Sequence, residues 1–159
     1  MSAILDRNGE LKLTVPEALR RSHDEARAQL VWANMERDPI AVAAKRVAKL
    51  CLPHFEYEEK TVFPVLALLP YLQRGEVQPE MIDVLPLISD FTAKHDALDH
   101  HHQSIRSAIE ELLETARKEK NRLFAEFANN LRVHERVEDQ VIYPTVVLIG
   151  RYLQEKLVN

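Results

Sequence analysis

The pattern of apolar and polar positions predicts four amphipathic helices. Apolar residues recur at intervals of three and four positions, a spacing that places them on one face of a helix. Helix A runs from about residue 16 to about residue 35, and helix B begins at about residue 40. Helix C begins after Pro79 or Pro86, and helix D begins at Leu123. The chain has only 3 glycines, which argues against an all-β fold with many tight turns.

Residues that end helices separate these four segments. Asp38-Pro39 lies between helices A and B, and the stretch Arg74 to Pro79 lies between helices B and C. A charged stretch from Arg117 to Arg122 lies between helices C and D. Because amphipathic helices with short connections pack side by side, the sequence predicts an all-α, up-down-up-down antiparallel four-helix bundle.

The domain organisation follows from the length and from these breaks. A chain of 159 residues is expected to form one domain. We predict an N-terminal arm over residues 1–15 and a helical domain over residues 16–159. This domain consists of two helix hairpins, one over about residues 16–73 and one over about residues 80–153.

Helices B and D carry the same short pattern at an offset of 80 residues. One copy is HFEYEEKTVFP, from His54 to Pro64, and the other is HERVEDQVIYP, from His134 to Pro144. In both copies a histidine lies four residues before a glutamate, and a proline lies six residues after it. Positions i and i+4 share a helix face, so each copy directs an imidazole and a carboxylate to one point. Two such copies facing each other predict a metal site with nitrogen and oxygen ligands.

Helices A and C each offer a histidine to the copy that follows. In an antiparallel hairpin, residues at the same height are equally distant from the turn. His23 and His54 have their midpoint at the break between helices A and B, and His102 and His134 have theirs in the charged turn. The midpoint of His95 and His134 falls within a stretch that is still helical in pattern. His102 is therefore favoured, while His95 stays open as the ligand or as an outer partner.

A histidine on an apolar face is usually a core residue, but buried glutamates need a partner. A buried, unpaired carboxylate costs several kcal/mol. Glu58 and Glu138 face the predicted core, so they must be protonated, ion-paired or bound to metal. Arg27 and Arg106, one turn after His23 and His102, leave the ion-paired interpretation open. Histidines and glutamates on four helices at one height favour a metal site.

Composition narrows the chemistry and the partners. Imidazole and carboxylate together suit iron, manganese or zinc, and the single cysteine argues against an iron–sulfur cluster, a structural zinc site or an internal disulfide. One free cysteine also fits a reducing compartment. The net charge of −4 gives no reason to expect nucleic acid. The longest uncharged run, residues 61–73, is shorter than a membrane span. We expect a cytoplasmic protein with neither membrane nor nucleic-acid partners.

The order of the motifs resembles the hemerythrin-like (HHE cation-binding) family. A histidine precedes His-x-x-x-Glu in each half, and an aromatic-proline pair follows, over about residues 16–153. The resemblance implies a four-helix bundle around two iron ions with an oxo or hydroxo bridge, with manganese and zinc as alternatives. It implies six ligands: His23, His54, Glu58, His102, His134 and Glu138. Oxygen carriers of the family usually have a second histidine one turn along helix C, where Asp99 can supply a carboxylate here.

The resemblance and the donor set imply a small-ligand function. We expect a protein that binds or senses oxygen or nitric oxide, or that buffers iron. The first alternative is a di-iron enzyme acting on peroxide or nitric oxide in stress defence, and the second is a metal-free helical interaction module. A small diatomic molecule or peroxide is the expected partner, while a protein partner or a homo-oligomer stays open.

Four side chains next to the repeated motifs have a simpler interpretation. Glu59 and Asp139 follow the ligand glutamates and point off the ligand face, so they are expected to be solvated acids. The alternative is that each orients a ligand histidine. Tyr57 and Tyr143 are expected to pack in the core with a wet hydroxyl, the alternative being a hydrogen bond to an oxygen at the metal.

Overall fold

Helices form almost all regular structure in the described part of the chain, which comprises residues 5–36 and 39–158 of a computed structural model. Those residues contain no β-strand, only an isolated bridge between Leu5 and Leu11. The predicted all-α class is therefore confirmed. No helix among the described residues is long and apolar enough to cross a membrane.

The described residues of the first half form four α-helices. They are α1 (Glu17–Ala33), α2 (Ile40–Tyr57), α3 (Phe63–Leu66) and α4 (Leu69–Leu72). A π-helical turn, Glu58–Val62, joins α2 to α3. The predicted break at Asp38-Pro39 lies partly outside the described residues, since Asp38 belongs to the gap at residues 37–38.

The second half repeats this arrangement with longer helices. A 3₁₀ helix (Pro79–Val84) leads into α5 (Leu85–Ala93), and α6 (His95–Lys118), α7 (Arg122–Val137) and α8 (Tyr143–Leu157) follow. A second π-helical turn, Glu138–Ile142, joins α7 to α8. The predicted helix C is thus divided at Lys94, whose backbone (φ −94°, ψ 2°) is not helical.

The two π-helical turns explain how each long helix continues past its proline. Proline lacks an N–H group, and its ring clashes with the carbonyl four residues earlier. Pro64 and Pro144 each follow a wider turn, in which the N–H of the preceding aromatic residue donates to a carbonyl five residues back, on Glu58 or Glu138. Each proline is thus accommodated by a π-helical turn that begins at a predicted ligand.

The long helices surround two apolar cores. Helix α1 contacts α2 and α7, and α6 contacts the same two helices. The first core includes Leu30, Val47, Ile109 and Leu131, and the second core is built from α3, α5, α8 and the 3₁₀ helix. Partly buried leucines and a valine of residues 5–15 pack against the second core. Along the chain, Glu58 lies between Phe55 of the first core and Val62 of the second, and Glu138 lies between Leu131 of the first core and Ile142 of the second.

Candidate metal centre

The layer between the two cores contains all six predicted ligands. Helices α1, α2, α6 and α7 each contribute one histidine, and each π-helical turn contributes the glutamate at its start: His23, His54, His102, His134, Glu58 and Glu138. Five of these side chains are fully buried. The sixth, His134, is 14% exposed. Polar side chains from both halves of the chain therefore meet in the interior.

Their donor atoms form two groups that could each hold an ion. The first donor group is His23, Glu58, His134 and Glu138, and the second donor group is His54, His102, Glu135 and Glu138. Within each group, one nitrogen or oxygen per residue lies within 4.8 Å of the others. Only Glu138 belongs to both groups, so it connects them.

The two oxygens of Glu138 face different groups. Its Oε1 lies 2.6 Å from Nε2 of His134 and 3.7 Å from Nε2 of His23, both in the first donor group. Its Oε2 lies 3.6 Å from Nε2 of His54, in the second donor group. Nε2 of His54 also lies 3.0 Å from Nε2 of His102. The donor atoms thus converge on two neighbouring points with Glu138 between them.

Most buried side-chain atoms that lack a hydrogen-bond partner in the described residues belong to this layer. They include Nε2 of His23 and His134, Oε2 of Glu58, and both oxygens of Glu135 and Glu138. A buried polar atom without a partner costs roughly 1–3 kcal/mol. A cation bound to these atoms would satisfy them together. The residues present therefore fit a metal ion.

The pKa values of Glu58 and Glu138 are shifted in opposite directions. Burial and the negative charge of Glu138 raise the pKa of Glu58 well above its usual range. Burial also acts to raise the pKa of Glu138, but hydrogen bonds from His134, His23 and His54 lower it well below its usual range. Burial lowers the pKa of His54 as well. Without a metal, Glu138 is thus ionised while Glu58 holds a proton that an arriving cation must displace.

Glu59 orients a ligand histidine instead of being fully solvated. Its Oε1 accepts a hydrogen bond from Nδ1 of His23 at 2.9 Å, and Arg27 donates to its Oε2 at 3.0 Å. Only 24% of the Glu59 side chain is exposed. With Nδ1 as the donor, Nε2 of His23 keeps its lone pair for the metal. Arg27 therefore pairs with Glu59 and not with the ligand glutamates.

Asp139 repeats this arrangement in the second half. It accepts from Nδ1 of His102 at 2.8 Å, and Arg106 donates to its other oxygen at 2.6 Å. In the same way Nδ1 of His134 lies 3.2 Å from the hydroxyl of Ser22. These contacts favour the alternative interpretation of Glu59 and Asp139, in which each one holds a histidine in position.

Glu135 is the carboxylate that the sequence interpretation missed. It is fully buried, and burial together with the charges of Glu138 and Asp139 raises its pKa to about 9. Its position directly after His134 placed it off the predicted ligand stripe. The signal was present in the repeat, because the equivalent residue of the first copy is Phe55, a buried core residue. A glutamate in place of a core phenylalanine indicates a polar role.

Tyr143 packs in the second core as expected, but its hydroxyl lies among the ligand residues instead of facing water. It is 6% exposed, and its hydroxyl donates to Oε1 of Glu58 at 2.8 Å and lies 3.0 Å from Nε2 of His102. Tyr57 contacts Asp90 instead, at 3.4 Å. Of the two tyrosines, Tyr143 alone therefore places its hydroxyl among the donor groups.

The structure keeps the two lower-ranked candidates apart from the donor groups. His95 and Asp99 are exposed, and neither belongs to a donor group. Both line a pocket of about 220 Å³ that reaches His102 and Tyr143. The histidine of α6 that enters the layer is thus His102, as the hairpin midpoints indicate.

Comparison with known proteins bears on the second half of the chain. No curated protein and no solved structure matches the chain. One family model matches a stretch that includes α6, α7 and α8, and with them His102, His134 and Glu138. Residues 93–157 match the family model of the hemerythrin HHE cation-binding domain, and this match confirms the resemblance predicted from the sequence.

Proposed function

We propose that this chain is a non-haem di-iron protein that binds or senses a small ligand such as oxygen or nitric oxide, or buffers iron. The proposed framework is an up-down-up-down, hemerythrin-like four-helix bundle. The observation that carries the proposal is that Glu138 is shared by two groups of four donors, of which all but the partly buried His134 are buried. A carboxylate with its two oxygens directed to different donor groups suits two neighbouring ions.

The donor chemistry fits the proposed iron, with manganese and zinc as the alternatives. Both donor groups consist of imidazoles and carboxylates and contain no thiolate, which suits iron, manganese or zinc. The family match on residues 93–157 adds a cation-binding precedent. When bound, two iron ions with an oxo or hydroxo bridge supply reversible redox chemistry and positions for a small ligand. The single cysteine, Cys51, is a buried free thiol, which supports the cytoplasm as the proposed compartment.

The surrounding side chains exclude bulk water from the centre. The ring of Phe55 stacks on His23 with centroids 4.0 Å apart, and Phe63 lies 4.9 Å from the same ring. The least buried ligand, His134, borders a pocket of about 360 Å³ that is also lined by Ala26 and Phe127. Because the donor side chains other than His134 are fully buried, we expect only a small ligand to reach them, which fits a diatomic molecule or peroxide.

The proposal is tested by the metal content of the protein purified without a histidine tag. We expect about two iron ions per chain and an absorption band of an oxo-bridged pair after exposure to oxygen. The chelator-treated protein is the control and should lack both. A preparation that retains one zinc ion, or that binds no metal when iron is supplied, would contradict the proposal and leave the metal-free interaction module.

Mixing the reduced protein with peroxide in a stopped-flow instrument separates binding from catalysis. A stable spectroscopic adduct with oxygen or nitric oxide, without peroxide turnover, supports the binding protein. Sustained peroxide consumption at iron-dependent rates would support the enzyme instead.

Glu59→Ala and Asp139→Ala are each expected to weaken iron binding by about 10- to 100-fold. Each change frees the Nδ1 of a ligand histidine, His23 or His102, so that the imidazole loses its fixed orientation. Competition with a coloured chelator measures the affinity. Glu56→Ala is the matched control, because this glutamate is exposed and pairs only with Lys60 at 3.7 Å in the described ion pairs. Equal affinities in all three variants would show that the two acids have no influence on the ligands.

A further inference from the structure

The two glutamates of the first donor group differ in how many oxygens they offer. Oε1 of Glu58 accepts the hydroxyl hydrogen bond of Tyr143 at 2.8 Å. Its Oε2 has no hydrogen-bond partner and lies 3.5 Å from Nε2 of His23 and 3.3 Å from Nε2 of His54. Glu58 therefore presents one free oxygen to the ligand layer.

Glu138 presents both of its oxygens. Apart from the ring nitrogens of the ligand histidines, neither oxygen has a hydrogen-bond partner in the described residues, although both are buried. Oε1 faces the histidines of the first donor group, and Oε2 faces His54 of the second. A carboxylate in this arrangement suits a bridge between two ions, with one oxygen on each.

The internal repeat explains the difference between the two glutamates. At the offset of 80 residues, Glu138 corresponds to Glu58 and Tyr143 corresponds to Phe63. The two aromatic rings are placed alike, since Tyr143 lies 5.4 Å from the His102 ring at 35° and Phe63 lies 4.9 Å from the His23 ring at 38°. Phe63 has no hydroxyl. Phe63 therefore cannot donate a hydrogen bond to Glu138 in the way that Tyr143 donates one to Glu58.

We propose that Tyr143 is a positioning residue that limits Glu58 to a single metal-facing oxygen, so that Glu138 is the only carboxylate that can bridge the two donor groups through both of its oxygens. This inference rests on the proposed di-metal function. It makes the centre asymmetric although the repeat that builds it is nearly symmetric. This asymmetry arises because residue 143 carries a hydroxyl and the equivalent residue 63 does not.

Three variants test the role of this hydroxyl. Tyr143→Phe frees the second oxygen of Glu58, which should then form a second bridge. In infrared difference spectra of iron-loaded minus metal-free protein, this variant should lose the bands of a one-oxygen carboxylate and gain those of a bridging one. The iron content should stay at about two per chain. Tyr57→Phe is the matched control, because its hydroxyl contacts Asp90 outside the donor groups, and its spectrum should equal that of the wild type.

The converse variant adds the missing hydroxyl. Phe63→Tyr should occupy one oxygen of Glu138, leave no two-oxygen bridge, and reduce the iron content from about two to about one per chain. The double variant Tyr143→Phe, Phe63→Tyr exchanges the roles of Glu58 and Glu138 and should restore about two ions. Circular dichroism checks that each variant remains helical.

The outcomes separate this inference from the proposed function. A wild-type chain that binds no iron overturns both. A wild-type chain with two ions whose infrared spectrum is unchanged in Tyr143→Phe overturns only the role of Tyr143. Because that variant removes one hydroxyl and no packing volume, it remains informative even if Phe63→Tyr does not fold.

Discussion

Glu138→Gln is expected to lower the iron content from about two ions per chain to less than about one. The substitution keeps the volume of the side chain but removes its negative charge and replaces one oxygen with an NH₂ group, which cannot bind a cation. Glu138 is the one residue common to both donor groups, and its oxygens face different groups. Losing it therefore weakens both ion positions, whereas other ligand changes act mainly on one.

The comparison variants make this expectation specific. Glu58→Gln should remove mainly the ion of the first donor group and leave about one ion per chain. Glu126→Gln, an exposed change on α7, should leave the iron content unchanged. Elemental analysis after gel filtration measures the content, and circular dichroism confirms that the helices persist. If Glu138→Gln retains two ions while Glu58→Gln loses one or both, Glu138 is not the shared ligand.

The helices and the level of the site could be predicted because both depend on local spacing. Apolar intervals of three and four residues locate the helices, and equal distance from a turn places His23 opposite His54 and His102 opposite His134. The same reasoning separates His102 from His95. All these inferences use positions within one hairpin. That the six predicted residues lie together in one buried layer follows from this local geometry.

The features that the sequence interpretation missed depend on contacts between hairpins. The π-helical turns at Glu58 and Glu138 accommodate Pro64 and Pro144, and the spacing of apolar residues does not predict such turns. Tyr143 reaches Glu58 from the other half of the chain, at a distance of 85 residues in sequence. Helical spacing predicts which face of its own helix a side chain occupies, but it does not predict which side chains of other helices it contacts.

Glu135 could have been found by comparing the two copies of the repeat in detail. Shared residues of the copies indicate the ligand set, and differences between them indicate where the halves diverge in function. Glu135 in place of Phe55, and Tyr143 in place of Phe63, both add polar atoms to the second half. The first half instead surrounds His23 with two phenyl rings. The two donor groups are therefore chemically unequal.

The metal-free protein is expected to lose on the order of 3 kcal/mol of unfolding free energy between about pH 7 and about pH 9. Burial raises the pKa of Glu135 to about 9, whereas an unfolded glutamate titrates near about 4.3. Between these values the folded state holds a proton that the unfolded state has released. The stability associated with this neutral carboxyl is complete below about pH 4.3 and is lost as the pH rises toward about 9.

Above pH 7 the other buried groups either add little slope or act in the same direction as Glu135, as does the Cys51 thiol, whose pKa burial raises. His54, whose pKa is lowered by burial, is neutral in the folded and the unfolded state there and contributes no slope. Glu138, whose pKa is lowered, is ionised in both states. Glu58, whose pKa is raised, acts in the same direction as Glu135.

Urea unfolding of chelator-treated protein at about pH 7, 8 and 9 measures this loss. Glu135→Gln should reduce the slope because the amide does not titrate, while Glu126→Gln should keep the wild-type slope. Glu135→Gln should also bind the ion of the second donor group more weakly, since it loses a carboxylate ligand. Glu135 is thus expected to lower the stability of the metal-free protein above pH 7 and to raise the affinity of the second donor group for its ion. A wild-type profile without slope, or an equal slope in Glu135→Gln, would show that Glu135 is not neutral in the folded, metal-free chain.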